Sequence, residues 1–294
     1  MSIIIDASTK VIIQGITGKE GSYWAEHMKN YGTNIVAGIT PGKEGQNVKG
    51  IPVFHTIKRA LEKTEIEASL LVVPPKFAKS AIYEALDAGI KKIVVTAEGI
   101  PLHESLEIRR RALTKGALIV GANTTGIMST GKAMMGFFPY WINRVYKSGN
   151  IGVMTRSGSL TNEITAEVVK AGFGTSSIIG VGGDKIPFTR FSEILKQFEY
   201  DKETDAVVMI GEIGGTMEEE VADLIKENKF TKPLVAFMGG REAPKGIKMG
   251  HAGAIVTNGR GSVESKEKEL NEAGAHIAKR PCEVGDILNS IFNS

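Results

Sequence analysis

Apolar residues in this chain fall into short runs rich in Val, Ile and Leu, separated by longer segments in which apolar positions recur every three or four residues. Runs of four to eight apolar residues bounded by glycine or proline fit strands buried on both faces, and the intervening pattern fits amphipathic helices. In the first half the expected strands are Val11–Gln14, 34–38, 69–73, 93–96 and Leu118–Gly121, with helices over 22–31, 77–88 and 105–115. Residues 131–141 then read as a connection. The pattern restarts with strands at 151–155, 177–181, 206–210, 233–237 and His276–Ala278, and helices over 156–171, 190–199, 217–228, 263–273 and 284–292. Strands alternating with helices at this rhythm predict parallel sheets covered on both faces, with ligands at the carboxyl ends of the strands. The expected fold class is α/β: a Rossmann-like domain over 1–146 followed by a flavodoxin-like doubly wound domain over 147–294.

Composition narrows the class. The chain has 294 residues, 42% hydrophobic and 23% charged, as in ordinary globular proteins with room for two domains. Its 36 basic and 33 acidic residues leave a net charge of +3, too balanced to point to nucleic acid. The brief basic cluster Arg109-Arg110-Arg111 reads as a solvated helix face. A single cysteine, Cys282, excludes an internal disulfide and any multi-cysteine metal site, so no metal ligands are expected and a reducing compartment is. The opening MSIIIDASTK has no basic region ahead of its apolar run, and no apolar stretch approaches the roughly 18 residues needed to span a bilayer. A cytoplasmic protein without a membrane role is expected.

The turns carry the candidate chemistry. After the first strand comes Gly15-Ile16-Thr17-Gly18-Lys19-Glu20-Gly21, a glycine-rich turn into a helix, where unpaired N–H groups can bind phosphate. Its spacing is G-x-x-G-x-x-G rather than G-x-G-x-x-G, which leaves a phosphate cradle and a merely tight turn equally open. The second strand ends in glycine and is followed by Pro41-Gly42-Lys43, where an NAD site wants an acid. A lysine there suits a phosphorylated ribose, as in coenzyme A or NADP. Pro74-Pro75 and Ala97-Glu98-Gly99 end two further strands.

In the second half, Arg156-Ser157-Gly158-Ser159 opens a helix and offers hydroxyls and N–H groups to an anion; an N-cap is compatible with that role. Glu212 stands between Gly211 and Ile213-Gly214-Gly215 at a strand end, where it can orient an imidazole. His251 lies in Gly250-His251-Ala252-Gly253-Ala254, with Arg241, Lys245 and Lys248 before it and Asn258, Gly259, Arg260 and Gly261 after it. A neutral imidazole is nucleophilic near pH 7, and nearby cations can compensate a dianion placed on it. The loop reads as an arm carrying a phosphate-accepting histidine, against the plainer reading of a surface histidine. His27, His55, His103 and His276 keep the plainer reading.

Taken in order, QGITGKEG, TPGKEGQNVKGIPVF, EALDAGIKKIVV, TRSGSLTNE, GVGGD, VMIGEIGG and KMGHAGAI resemble, nearly end to end, the alpha subunit of succinyl-CoA synthetase and related nucleoside-diphosphate-forming acyl-CoA ligases. The resemblance implies coenzyme A on the first domain, with Gly18, Lys19, Glu20 and Gly21 near its phosphates, Lys43 near its ribose phosphate, and Thr17, Pro74 and Glu98 in the same site. It implies an acyl phosphate formed from acyl-CoA and inorganic phosphate, whose phosphoryl group passes to His251. Glu212 would hold the ring, Arg156, Ser157, Gly158 and Ser159 would bind the phosphate, and the loop would deliver the group to a nucleoside diphosphate. Neither domain carries a Walker-type lysine loop or a run of metal-binding carboxylates. ATP or GTP with Mg2+ is therefore expected mainly on a partner, an ATP-grasp beta subunit, in a heterodimer or heterotetramer.

Two segments depart from the family. Gly-Pro-Asn-Cys-Pro-Gly is here Gly121-Ala122-Asn123-Thr124-Thr125-Gly126, and Thr-Tyr-Glu is Thr161-Asn162-Glu163. Asn162 and the 228–233 link look more like ATP-citrate lyase. Asn123, Thr124 and Asn162 are thus candidate contacts to the carboxylic acid, with succinate expected, citrate (a citryl-CoA synthetase small subunit) as the alternative and malate behind both. A CoA-binding module without catalysis is disfavoured by the retention of His251 and Glu212, and a dehydrogenase by the absent ribose acid.

Overall fold

The computed structural model describes residues 3–243, 250–256 and 261–293. The chain divides into two compact units, one of Ile4–Phe138 with Ile186–Phe188, the other of Pro139–Lys185 with the chain from Thr189 onward.

In the first unit, β1 (Val11–Gln14), β2 (Ile35–Ile39), β3 (Asn47–Val48), β4 (Ile51–Phe54), β5 (Ala68–Leu71), β6 (Lys92–Val95) and β7 (Leu118–Gly121) form one sheet in the order β3-β4-β2-β1-β5-β6-β7. All neighbours are parallel except β3 and β4. Strands such as β1 and β5 are buried at every position, which is why they read as mainly apolar runs, with Gln14 and Ser69 as their polar members. Helices α1 (Lys19–Tyr31), α2 (Ile57–Leu61), α3 (Pro75–Asp87) and α4 (Leu102–Lys115) cover the sheet. Glycines at +118° and +59° in φ, Gly32 and Gly116, end α1 and α4. Because β2 and β5 flank β1 on opposite sides, the sheet reverses direction at the carboxyl end of β1.

A hairpin of β8 (Gly126–Ser129) and β9 (Ala133–Gly136) follows β7, where no strand was expected and β9 falls in the stretch read as a connection. All eight of its strand residues are buried, so it shows no apolar–polar alternation, and its Gly and Met content carries little strand preference. Long-range contacts hold it: Thr33 Oγ1 donates to the Met134 carbonyl at 2.8 Å, and Gly131 N–H donates to the Tyr31 hydroxyl at 2.6 Å. The short elements β3, β4 and α2 were likewise not anticipated.

In the second unit, β10 (Ser148–Thr155), β11 (Thr175–Gly180), β12 (Ala206–Glu212), β13 (Leu234–Gly239) and β14 (His276–Ala278) run parallel in the order β11-β10-β12-β13-β14, the flavodoxin-like arrangement. Helices α5 (Gly158–Lys170), α6 (Phe191–Tyr200), α7 (Met217–Lys226), α8 (Val263–Glu272) and α9 (Glu283–Phe292) complete it. Its switch point lies at the carboxyl ends of β10 and β12, which deliver Thr155 and Glu212 there. On the sheet face, Gly152 of β10 seats the fully buried Phe198 ring of α6.

A methyl group at Gly152 would come within 2.5 Å of the Phe198 ring. Gly152→Ala is expected to cost about 1–3 kcal/mol through overpacking, read as a lower urea midpoint with an unchanged slope. An unchanged midpoint would show that the ring has room to retreat.

Candidate functional site

Two cavities stand at the switch points. In the first unit, a cavity of about 480 Å³ opens at the carboxyl ends of β1, β2 and β5, between the Gly15–Gly18 turn, Thr40-Pro41 and Val72-Val73-Pro74. The turn folds back on itself, with Gly18 N–H donating to the Gly15 carbonyl and Gly15 held at φ +85°. Gly18 is the N-cap of α1 and supplies no side-chain cap, so the first N–H groups of the helix are left for another acceptor. Gly21 is buried against the same turn, where an added Cβ would overlap the Gly15 carbonyl. The buried Gln14 amide braces the floor by donating to Ser69 Oγ at 3.0 Å and to the Ala81 carbonyl at 3.1 Å.

Of the residues expected around coenzyme A, Thr17, Gly18 and Pro74 line this cavity. Lys19 and Glu20 stand exposed in the first turn of α1, while Gly21 packs the turn. Lys43 and Glu98 are exposed and do not line the cavity. Phe77, Ser80 and Glu84 of α3 do line it and were not anticipated. Phe77 is half exposed at the start of a helix, and a large apolar side chain left uncovered there was the available signal.

The second cavity, about 330 Å³, lies in the second unit between Ser157, Ser159 and Leu160 of the α5 start, Glu212 and Ile213, Gly239 and Gly240, and His251 with its neighbours. His251 Nδ1 is 2.7 Å from Glu212 Oε2. A carboxylate only accepts, so in the neutral ring Nδ1 carries the proton and Nε2 keeps its lone pair. Glycines make the seat: a Cβ on Gly183 would overlap the His251 ring, and a Cβ on Gly214 would overlap the Gly253 carbonyl. Gly253 N–H donates to the Gly183 carbonyl at 3.0 Å, tying the histidine loop to the loop after β11.

Glu212 is 7% exposed and needs compensation. Arg156 Nη2 lies 3.0 Å from Glu212 Oε1, an ion pair out of hydrogen-bond alignment, while Arg156 Nη1 donates to the Gly214 carbonyl at 3.1 Å. Arg156 was expected with the phosphate-binding residues. The structure instead buries it beside Glu212, and neither it nor Gly158 lines the cavity, whereas Ser157 and Ser159 do. Ser157 caps α5 by accepting from Leu160 N–H, and Thr155 Oγ1 accepts from Ser157 N–H at 3.1 Å, so the helix start is braced from the strand below it. Lys245, Lys248, Asn258, Gly259 and Arg260 lie outside the described residues.

The acid-site candidates are fixed locally. Thr124 Oγ1 accepts from Gly126 N–H at 2.9 Å, and Asn123 sits at φ +55°, a conformation asparagine tolerates. In the second unit, the Tyr146 hydroxyl donates to Asn162 Oδ1. Among the described residues no cluster of three or more His, Cys, Asp or Glu could hold a metal ion, and no helix is long and apolar enough to cross a membrane.

The first unit thus carries a cavity beside a glycine turn, and the second carries an imidazole oriented by a buried carboxylate. A CoA-binding domain model matches residues 6–99 and a CoA-ligase model matches residues 154–276. The chain is 60% identical to the ADP-forming sulfoacetate-CoA ligase subunit SauD of Bilophila wadsworthia, over 99% of this chain and 100% of that one. It is 62% identical to the ADP-forming sulfoacetate-CoA ligase subunit SqwL of an Acholeplasma species, over 99% and 98%. With the ADP-forming succinate-CoA ligase subunit alpha 2 of Archaeoglobus fulgidus it shares 48%, over 99% and 100%. A solved ATP citrate lyase from Methanothrix soehngenii, in complex with citrate and coenzyme A, has the same fold at a TM-score of 0.90 and 23% identity, over 98% of this chain and half of that one. The chain belongs to the succinyl-CoA synthetase alpha-subunit family of ADP-forming CoA ligases.

Two outcomes follow from this geometry. Gly183→Ala should push the imidazole out of its seat, changing the His251 ring ¹⁵N shifts; unchanged shifts would mean that the loop slides without loss. Glu219, on α7 behind the site, has its carboxyl raised above the ordinary 4.5, first by burial, with Lys266 acting against the rise. An acid whose folded pKa lies above its unfolded one costs stability as pH rises through that interval. Glu219→Gln should therefore gain on the parent as pH rises from below 4.5 toward neutrality, and parallel stability curves would refute the burial.

Proposed function

We propose that this chain is the CoA-binding, phosphoryl-accepting subunit of an ADP-forming acid–CoA ligase, with His251 as the phosphorylated residue. The carrying observation is the 2.7 Å contact of His251 Nδ1 with the buried Glu212 carboxylate, beside a cavity lined by the α5 start. Nδ1–H donation leaves Nε2 as the nucleophile. In-line attack by Nε2 on an acyl phosphate forms the N–P bond as the acyl C–O–P link breaks at phosphorus and the carboxylate leaves. Ser157, Ser159 and the helix N-terminus are positioned to offset the phosphoryl charge. Arg156 acts one step behind, as the counter-charge paired with Glu212.

Coenzyme A fits the first-unit cavity, whose glycine turn leaves N–H groups for a pyrophosphate and whose remaining walls are largely apolar. The nucleotide with its Mg2+ is assigned to a partner subunit of the ATP-grasp type, a division supported by relatives that are themselves named as ligase subunits. The working place is the cytoplasm.

For the acid, we place sulfoacetate ahead of succinate. Identity is 60% and 62% to two sulfoacetate-CoA ligase subunits against 48% to a succinate-CoA ligase subunit. The departures at Thr124 and Thr125 in the first unit put hydroxyl groups where the succinate pattern has cysteine and proline, and Asn162 in the second unit puts an amide where it has tyrosine. Such donors suit the three acceptor oxygens of a sulfonate. With CoA, ATP and Mg2+, the chain and its native partner should show kcat/KM for sulfoacetate at least tenfold above those for succinate and citrate. A reversed order would return the assignment to succinate or citrate. His251 should take an acid-labile, base-stable label from ATP, and His251→Asn should abolish both label and turnover. A label that survives this substitution would refute the phosphohistidine.

A further inference from the structure

Two wholly buried charges do not touch the cavity and yet enclose the peptide that carries Glu212. Glu218, in the first turn of α7, and Lys266, in the first turn of α8, are both at 0% exposure and are paired with each other. Glu218 Oε1 accepts from the Glu212 N–H at 3.2 Å. Lys266 Nζ donates to the Glu212 carbonyl at 3.0 Å and to the Gly214 carbonyl at 2.8 Å. Its third donor goes to Glu218, so the ammonium is fully spent. The strand is shaped to admit the clamp, since an added Cβ on Gly211 would lie 2.8 Å from both Glu218 Cγ and Glu218 Oε1.

A buried ion pair is a poor source of stability, because desolvation offsets its attraction and apolar residues of similar volume do as well or better. What this pair does that apolar residues cannot is hold both polar groups of one peptide. From the clamp we infer that Glu218 and Lys266 are positioning residues for His251. By fixing the Glu212 backbone they fix its carboxylate, which sets the Nδ1–H tautomer and presents Nε2. The inference rests on the phosphohistidine reading given above and assigns that site two supports on separate helices.

The test uses the full chain with [¹⁵N]histidine, reading the His251 tautomer from its ring shifts, together with the rate of His251 labelling in the complex with its partner. Glu218→Gln keeps the shape but has one acceptor oxygen where the carboxylate has two, so it cannot serve Glu212 and Lys266 at once. The paired replacement Glu218→Met with Lys266→Met removes both wholly buried charges together and leaves Glu219 without the ammonium 3.9 Å away. In both, the Nδ1–H fraction should fall toward that of a free imidazole and labelling should slow about 10–100-fold, the range for lost outer-shell support. A merely structural role would lower the melting temperature and leave the tautomer unchanged. A folded variant with the parental tautomer and a labelling rate within twofold overturns the inference. If neither variant folds, amide exchange in the parent protein decides, since a rapidly exchanging Glu212 N–H is incompatible with the clamp. Absence of any label on parental His251 would instead overturn the phosphohistidine reading, while the tautomer would still report on the clamp.

Discussion

A carboxylate buried at the end of a central strand is the constraint on which the second unit depends. Glu212 is nearly out of solvent, and an uncompensated charge there would be costly enough to unfold or neutralise it. The surroundings answer that constraint from every direction: Arg156 on one oxygen, the His251 ring on the other, and Glu218 and Lys266 on the backbone. These groups come from the connection between β10 and α5, from α7 and α8, and from the histidine loop, so the charge ties together elements far apart in sequence. The imidazole gains from this a fixed ring orientation and a defined tautomer.

The first unit solves a different problem with backbone alone. Its switch point requires the chain to leave β1, reverse tightly and enter α1 without filling the space above the sheet. Gly15 supplies the left-handed turn and Gly21 the close approach of helix to turn. The result is a cavity lined near the turn by Gln14, Gly15, Thr17, Gly18 and Thr40. A glycine turn into a helix N-terminus suits a phosphate-bearing ligand.

Much of this was legible in the sequence. Parallel strands buried on both faces are mostly apolar, so their runs and the helices between them stand out, and the strands Val11–Gln14, Leu118–Gly121 and His276–Ala278 were found at their true ends. The hairpin β8–β9 was not, because its strands are short, buried on every side and poor in branched residues, so neither alternation nor propensity marks them. His251 and Glu212 were singled out by the glycines beside them, and the fold brings the two side chains to 2.7 Å of each other.

What only the tertiary structure decided is which charges face inward. In MEEEVADLIK and VESKEKELNE, Glu218 and Lys266 are two among several acids and lysines, and nothing local sets them apart from the rest. Arg156, beside hydroxyl-bearing neighbours, reads as a phosphate ligand. Each acquires its role from partners some 50 residues or more away, or, for Glu218 and Glu212, from a turn whose course the local pattern leaves open. Periodicity tells how often a helix turns a side chain toward the sheet. Whether the residue turned inward meets another charge depends on contacts across the fold, and those exist only once the sheet has assembled.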